Sequence, residues 1–368
     1  MARATEPPAT GPAATTPLCG LLAYCRAGFE AECAQELAAR DRDLATGGFA
    51  RTRSGSGFVE FIFPDAAAAA RYDRAVRWRE LAFARQRVQL AARIDALPAH
   101  DRLAVLLPAI RRAGGPWCDA WIEAPDNDAA RELAALCRSL NHALVAALKR
   151  ERLLDATAPQ RLHIGLVDAR TAFVGSTRID DASAWPGGIP RLRFPSSAPS
   201  RSTLKLEEAL LTLLDAGERE RWLKPGMRAV DLGAAPGGWT WQLVRRSLHV
   251  TAIDNGPIDG ALMASGLVTH LREDGFRFRP PQPVDWMVCD MVEQPRKVAA
   301  RMAEWLAGGW CRHAIFNLKL PMKKRHDEVV LCRDLVAAAV AAAGRRLDWR
   351  ARQLYHDREE ITVFARVT

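Results

Sequence analysis

One run of eleven residues limits what this chain can fold into: Ala229-Val230-Asp231-Leu232-Gly233-Ala234-Ala235-Pro236-Gly237-Gly238-Trp239. It reads as a buried strand, then a glycine-rich turn, then the start of a helix. Small residues at a strand end let the backbone approach a ligand closely. The free N–H groups that open the following helix then face a negative group. This is nucleotide-type binding chemistry, although the spacing is not the dinucleotide fingerprint G-x-G-x-x-G.

The surrounding pattern fits that unit. From Leu204 to the C-terminus, helical and strand-like segments alternate. Strands are expected at 229–233, 249–254, 268–271, 286–290, 313–318, 353–356 and 361–367. Helices are expected at 204–216, from about 238, and at 261–267, 295–307 and 325–343. That rhythm predicts a doubly wound, Rossmann-like α/β sheet, with its ligand beyond the carboxyl ends of the strands.

The N-terminal half reads differently. Residues 1–17 are rich in Ala, Pro and Thr and are expected to be disordered. Residues 18–80 suit a small ferredoxin-like α+β module, with strands at 20–26 and 57–63 and helices at 29–40 and 66–78. Residues 81–184 continue the alternation. A strand is expected at 83–93, a helix at 102–112 weakened by Pro108, a strand at 118–123, a long helix over 127–154, and a hairpin over 160–179. Residues 185–203 hold four prolines and two glycines and read as a linker. Residues 204–368 form the Rossmann-like domain.

The formal net charge is +9, which suits a polyanionic partner such as RNA or DNA; an arginine-rich composition alone gives the same figure. Only seven lysines occur, so a lysine at a motif position is informative. Eight scattered cysteines form no C-x-x-C pair or zinc-ligand spacing, so buried free thiols and no metal are expected. No run reaches the ~20 apolar residues of a membrane helix, and the N-terminus lacks a signal-peptide pattern. The expected location is cytoplasmic, with no membrane partner.

Two sets of residues carry chemistry. Asp254 ends the apolar strand that follows the glycine-rich turn, at the distance where an acidic residue binds ribose hydroxyls. Asp274 follows the next short strand and is placed to receive an adenine amino group; for either aspartate alone, a cap or turn role would suffice. The second set stands at strand ends and helix starts: Lys205, Asp290, Lys319 and Glu360. A lysine ending an apolar strand is an odd core residue, because an unpaired buried ammonium is costly. Two surface ion pairs are the bland alternative for these four. Lys323-Lys324-Arg325-His326 is either a phosphate contact or a solvated charge run. Trp239 and Trp241 fit core positions.

The motif Asp231 to Trp239 resembles motif I of S-adenosylmethionine-dependent RNA ribose 2′-O-methyltransferases. The four charged residues resemble the Lys-Asp-Lys-Glu set of their FtsJ-like members. Three longer runs, 199–208, 286–293 and 355–360, resemble the ribosomal RNA large subunit methyltransferase M family over almost the whole chain. The resemblance implies methylation of a cytidine ribose in 23S rRNA; the RNA is expected naked or in early assembly, and the protein as a monomer. It also implies a THUMP-type RNA-binding module over 81–184. For the cofactor S-adenosyl-L-methionine it implies a site built from Ser202, Asp231, Gly233, Ala235, Pro236, Gly237, Gly238, Asp254, Asp274 and Asp290. Ser202 serves equally well as a helix cap.

A ribose hydroxyl is a poor nucleophile and needs a base. Desolvation and the neighbouring Lys205 are expected to lower the pKa of Lys319 enough for that role, with Asp290 and Glu360 orienting the lysines. The residues alone do not separate Lys319 from Lys205, nor Glu360 from Glu359. Rival readings are methylation of another RNA such as tRNA, a non-catalytic RNA-binding assembly factor, and a nucleotide-dependent oxidoreductase. Pro236 and the missing G-x-G-x-x-G argue against the last.

Overall fold

Residues 13–368 are described by the computed structural model. They divide into two units. One comprises the described residues through Trp78 together with Gln86–Gly188; the other comprises Arg79–Arg85 and Ile189–Thr368.

The first unit is built on one seven-stranded sheet. Its elements are β1 (Ala14–Tyr24), α1 (Glu30–Leu44), β2 (Phe49–Thr52), β3 (Phe58–Ile62), α2 (Ala66–Ala75), β4 (Gln86–Asp95), α3 (Arg102–Ala113), β5 (Ala120–Glu123), α4 (Asp128–Arg131), α5 (Ala134–Arg150), β6 (Gln160–Leu166) and β7 (Ala172–Arg178). The strand order is β2-β3-β1-β4-β7-β6-β5. Only the β5–β6 pair is parallel. The stretches expected as two modules, 18–80 and 81–184, therefore share a sheet. β4 is the joint, because β1 pairs along one of its edges and β7 along the other.

Several expectations change here. Residues 1–12 of the expected disordered segment lie outside the described residues, and 14–17 begin β1, where Ala14 to Pro17 pair with Asp95 to Ala92. Strand pairing there supplies the hydrogen bonds that composition could not reveal. The expected 83–93 strand begins only at Gln86, since Arg79–Arg85 belong to the other unit. The expected 127–154 helix is broken between α4 and α5. Helix α3 runs through Pro108 and ends at Gly114, whose φ of 103° suits glycine.

In the second unit the elements are α6 (Thr203–Leu213), α7 (Ala216–Trp222), β8 (Arg228–Leu232), α8 (Gly238–Val244), β9 (His249–Ile253), α9 (Gly260–Ala264), β10 (Val268–Leu271), β11 (Val284–Cys289), α10 (Pro295–Ala307), β12 (Cys311–Lys319), α11 (Arg325–Ala342), β13 (Leu347–Arg352) and β14 (Glu360–Val367). The order β10-β9-β8-β11-β12-β14-β13 confirms the doubly wound, Rossmann-like expectation. The first five strands are parallel, and β14 returns antiparallel to β12. From β8 the chain winds outward to β10, then crosses back to β11. The switch point between β8 and β11 leaves their carboxyl ends open to a ligand.

Strands β8, β11 and β12 are covered on both faces, so they read as near-continuous apolar runs. Leu206 and Leu210 of α6 pack with Trp239, Trp286, Val288, Ile315 and Phe364 in one core cluster. The expected strand 353–356 is not formed. The strand lies earlier, at β13, because residues 353–357 make a turn in which the Leu354 N–H donates to Asp357 Oδ2 at 2.9 Å.

Phe316 is fully buried in the middle of β12, its ring edge-on to Trp349 at 5.8 Å. Phe316→Ala is expected to destabilise the second unit by about 3–5 kcal/mol in urea unfolding. A loss below about 1 kcal/mol would contradict the packing described.

Candidate active site

Lys205, Asp290, Lys319 and Glu360 converge from four elements. Lys205 lies in the first turn of α6, Asp290 directly follows β11, Lys319 ends β12, and Glu360 opens β14. Strand register does part of the work: Lys319 and Glu360 are direct partners in the β12–β14 ladder. The Lys319 ammonium donates to Asp290 Oδ1 at 2.8 Å and to Glu360 Oε2. The Lys205 ammonium lies 3.4 Å from Asp290 Oδ2 and 2.5 Å from Glu360 Oε1. Each carboxylate thus bridges both lysines, and two positive charges meet two negative ones. The side chains are 6–25% exposed, too buried for ordinary surface ion pairs. Glu360, not Glu359, completes the group. The Glu359 side chain points away to Arg325 Nη2 at 2.6 Å.

The electrostatics reverse one expectation. Burial does pull the Lys319 pKa down, but Asp290 and Glu360 outweigh it, and the net shift is upward. In the free protein Lys319 is an ammonium.

A layer of residues not singled out from the sequence holds the four in place. Asn317 Nδ2 donates to Asp290 Oδ1 at 2.8 Å, and its Oδ1 accepts from Thr362 Oγ1 at 2.7 Å. Thr362 also reaches the buried Asp357 carboxylate at 3.1 Å. Alternation along β12 puts Asn317 on the same face as Lys319, a signal that was available in the sequence. Buried Glu208 grips the turn before Glu360: its carboxylate accepts from the Tyr355 N–H at 2.7 Å and the His356 N–H at 3.0 Å. The segment 79–85 ties down the same turn. Ala82 O accepts from the Gln353 N–H at 2.8 Å, and Arg85 donates to the carbonyls of Gln353 and Leu354.

The glycine-rich turn lies alongside. Gly233 has a φ of 77°, and a Cβ there would meet Met291, the residue after Asp290, at 2.8 Å. The close approach joins the turn to the charged group. Gly237 has a φ of 116°. A Cβ on Gly238 would strike the Ser202 and Ser200 hydroxyls, so Ser202 lies directly against the turn. Ser202 bonds Ser200 at 2.6 Å and makes no side-chain cap, so the capping alternative is not realised. Asp254 spans the turn, taking the Ala235 N–H at 3.0 Å and the Gly256 N–H at 2.7 Å. Pro236 is exposed, and its carbonyl accepts from the Asp259 N–H at 3.0 Å. Asp274 is exposed beyond β10 and takes the Phe276 N–H at 2.8 Å, which is turn work.

Asp231 is the unusual member. It is buried, and Thr240 donates to its Oδ2 at 2.6 Å, while Oδ1 has no hydrogen-bond partner. Burial pushes its pKa to about 7. A buried carboxylate with an idle oxygen suits a ligand bearing positive charge or N–H donors. Trp239 is core, with its Nε1–H donating to Ser202 O at 3.1 Å, and Trp241 is half-buried. Among the described residues no cluster of His, Cys, Asp and Glu could hold a metal ion, and no helix is long and apolar enough to cross a membrane. All eight cysteines are free thiols, six of them buried.

Three family models match the chain: the RlmM ferredoxin-like domain over 18–88, the N-terminal model of ribosomal RNA large subunit methyltransferase M over 101–178, and FtsJ-like methyltransferase over 198–347. Among solved structures, TrmN from Thermus thermophilus aligns with 94% of this chain and 98% of its own at 21% identity and a TM-score of 0.36. Two relatives are named Ribosomal RNA large subunit methyltransferase M. That of Xanthomonas campestris pv. campestris (strain B100) is 54% identical over 94% of this chain and 99% of its own length. That of Xanthomonas oryzae pv. oryzae (strain PXO99A) is 53% identical over the same shares. With more than half the residues identical over nearly the whole of both chains, this chain belongs to the ribosomal RNA large subunit methyltransferase M family.

Proposed function

We propose that this chain methylates the ribose 2′-hydroxyl of a cytidine in 23S rRNA, using S-adenosyl-L-methionine. The observation that carries the reading is the convergence of two lysines and two carboxylates against a glycine-rich turn, at the switch point of a doubly wound sheet. Ribosomal RNA as substrate is supported by the names of the relatives. The cytidine, the 2′ position and 23S rRNA rest on the resemblance of the motifs. A ribosomal RNA substrate would place the reaction in the cytoplasm. The N-terminal unit is assigned the gripping of RNA, as the THUMP-type resemblance implies.

The residues present fit the cofactor. Asp231, with its idle oxygen, and the backbone of Gly233, Ala235, Pro236, Gly237 and Gly238 would hold it together with Ser202. Asp254 would take its ribose hydroxyls and Asp274 its adenine amino group. Bound there, S-adenosyl-L-methionine supplies an electrophilic methyl group on a sulfonium. Lys319 would accept the hydroxyl proton as the oxygen attacks. Asp290 and Glu360 hold its Nζ in place, and Lys205 offsets their negative charge. Because the carboxylates keep Lys319 protonated in the free protein, only a small deprotonated fraction is active at neutral pH. Closing the site over RNA removes water, which acts in the lowering direction.

The single-turnover rate should rise about tenfold per pH unit from about pH 7 to 9, since activity tracks the deprotonated amine. Lys319→Ala should lower the rate by about 10²–10⁴ and leave the affinity for S-adenosyl-L-methionine within about twofold. A flat wild-type profile, or turnover near wild type in the variant, would remove Lys319 as the base.

Asp231 gives a second test. Its folded pKa lies above its ordinary value of 3.8, at about 7. The folded state therefore binds the proton more tightly, and stability falls as pH rises between about 4 and 7. Roughly three units at ~1.4 kcal/mol each set an upper bound on the order of 4 kcal/mol. Urea unfolding of the cofactor-free protein should show that decline, and Asp231→Asn should flatten it. An unchanged slope in the variant would count against the assigned burial.

A further inference from the structure

Two side chains stand apart from the rest of the surface. Met322 is 91% exposed and Val292 is 88% exposed, while no other exposed large apolar side chain among the described residues exceeds 50%. Both belong to the second unit, and each follows a strand that leads to the charged group. Val292 lies three residues beyond the end of β11, and Met322 three beyond the end of β12. These strands are parallel neighbours, in register at Cys289 and Phe316. Adjacent strands lie about 4.8 Å apart. Their ends are joined by the bonds from Asn317 and Lys319 to Asp290. The loops bearing Val292 and Met322 therefore leave neighbouring strands at the carboxyl edge that carries Asp290 and Lys319, with β12 running three residues farther than β11 before its loop begins.

Isolated apolar side chains on a surface need no explanation, but the two most exposed ones flanking one charged site do. The chain beside Met322 says what covers them. Lys323 and Lys324 are exposed, and neither makes an ion pair among the described residues. On the other loop, by contrast, Glu293 is neutralised by Lys297 at 2.8 Å. Apolar surface and unpaired cations next to a group that acts on a ribose match the two other parts of a nucleotide, its base and its phosphates.

We infer that Val292 and Met322 receive the base of the substrate nucleotide once it leaves its stack, and that Lys323 and Lys324 hold the adjoining phosphates. The inference rests on the proposed action on an RNA ribose and adds how that ribose is brought to Lys319. A base held by apolar contacts of this kind is gripped by its faces, without readout of its edges. These contacts therefore favour any unstacked base over a stacked one and leave the choice of base to other groups.

The test compares wild type with Val292→Ser/Met322→Ser and with Lys323→Gln/Lys324→Gln, on an unmodified 23S rRNA transcript. The apolar double variant should raise KM for the RNA roughly tenfold. Its kcat at saturation, thermal midpoint and affinity for S-adenosyl-L-methionine should stay within about twofold, and the salt dependence of RNA binding should be unchanged. The lysine double variant should instead reduce the salt slope by about two. A KM within about twofold of wild type for the apolar variant would overturn the inference. So would a rise accompanied by the same loss of salt slope, because the effect would then be electrostatic. Absence of methyl transfer by wild type to any RNA, with S-adenosyl-L-methionine bound, would overturn the function reading and this inference with it.

Discussion

Two ammonium groups shared between two carboxylates set the terms for the second unit. Each ion alone would be costly to hold at this depth, and removing any one leaves an unbalanced charge among the other three. The arrangement closes only if α6, β11, β12 and β14 end within a few ångströms of one another. Much of the remaining structure keeps those ends together. The β12–β14 ladder sets Lys319 opposite Glu360, Asn317 links Asp290 to Thr362, and Glu208 with the segment 79–85 fixes the turn that delivers Glu360.

The same four charges give the site a resting state. With Lys319 held as an ammonium, the base strength that the proposed reaction asks of it must come from what enters and what water leaves. Asp231, beside the glycine-rich turn, is a second group buried at a cost, with one oxygen lacking a hydrogen-bond partner. Under the proposed function, both features fit a site tuned for its loaded form.

Much of this was legible in the chain. Strands covered on both faces leave apolar runs, and so the parallel core from β8 to β12 could be placed from periodicity. Asp290, Lys319 and Glu360 stood out because each bounds such a run, and Lys205 because it opens the helix before the glycine-rich turn. What could not be read depends on distant partners. Residues 14–17 look unstructured until Asp95 to Ala92 pair with them. The turn at 353–357 looks like a strand until Asp357 caps it and Ala82 takes its first N–H. The direction of the Lys319 shift needed distances, since burial and carboxylates pull in opposite directions and only geometry decides between them.

Methyl transfer to a ribose is tested most directly by locating a labelled methyl group. Protein, methyl-labelled S-adenosyl-L-methionine and unmodified 23S rRNA should yield label at a single nucleotide. The label should lie in an alkali-resistant dinucleotide, because a methylated 2′-oxygen can no longer attack its phosphate. Label released on the base after complete hydrolysis, or label on tRNA in preference to 23S rRNA, would contradict it.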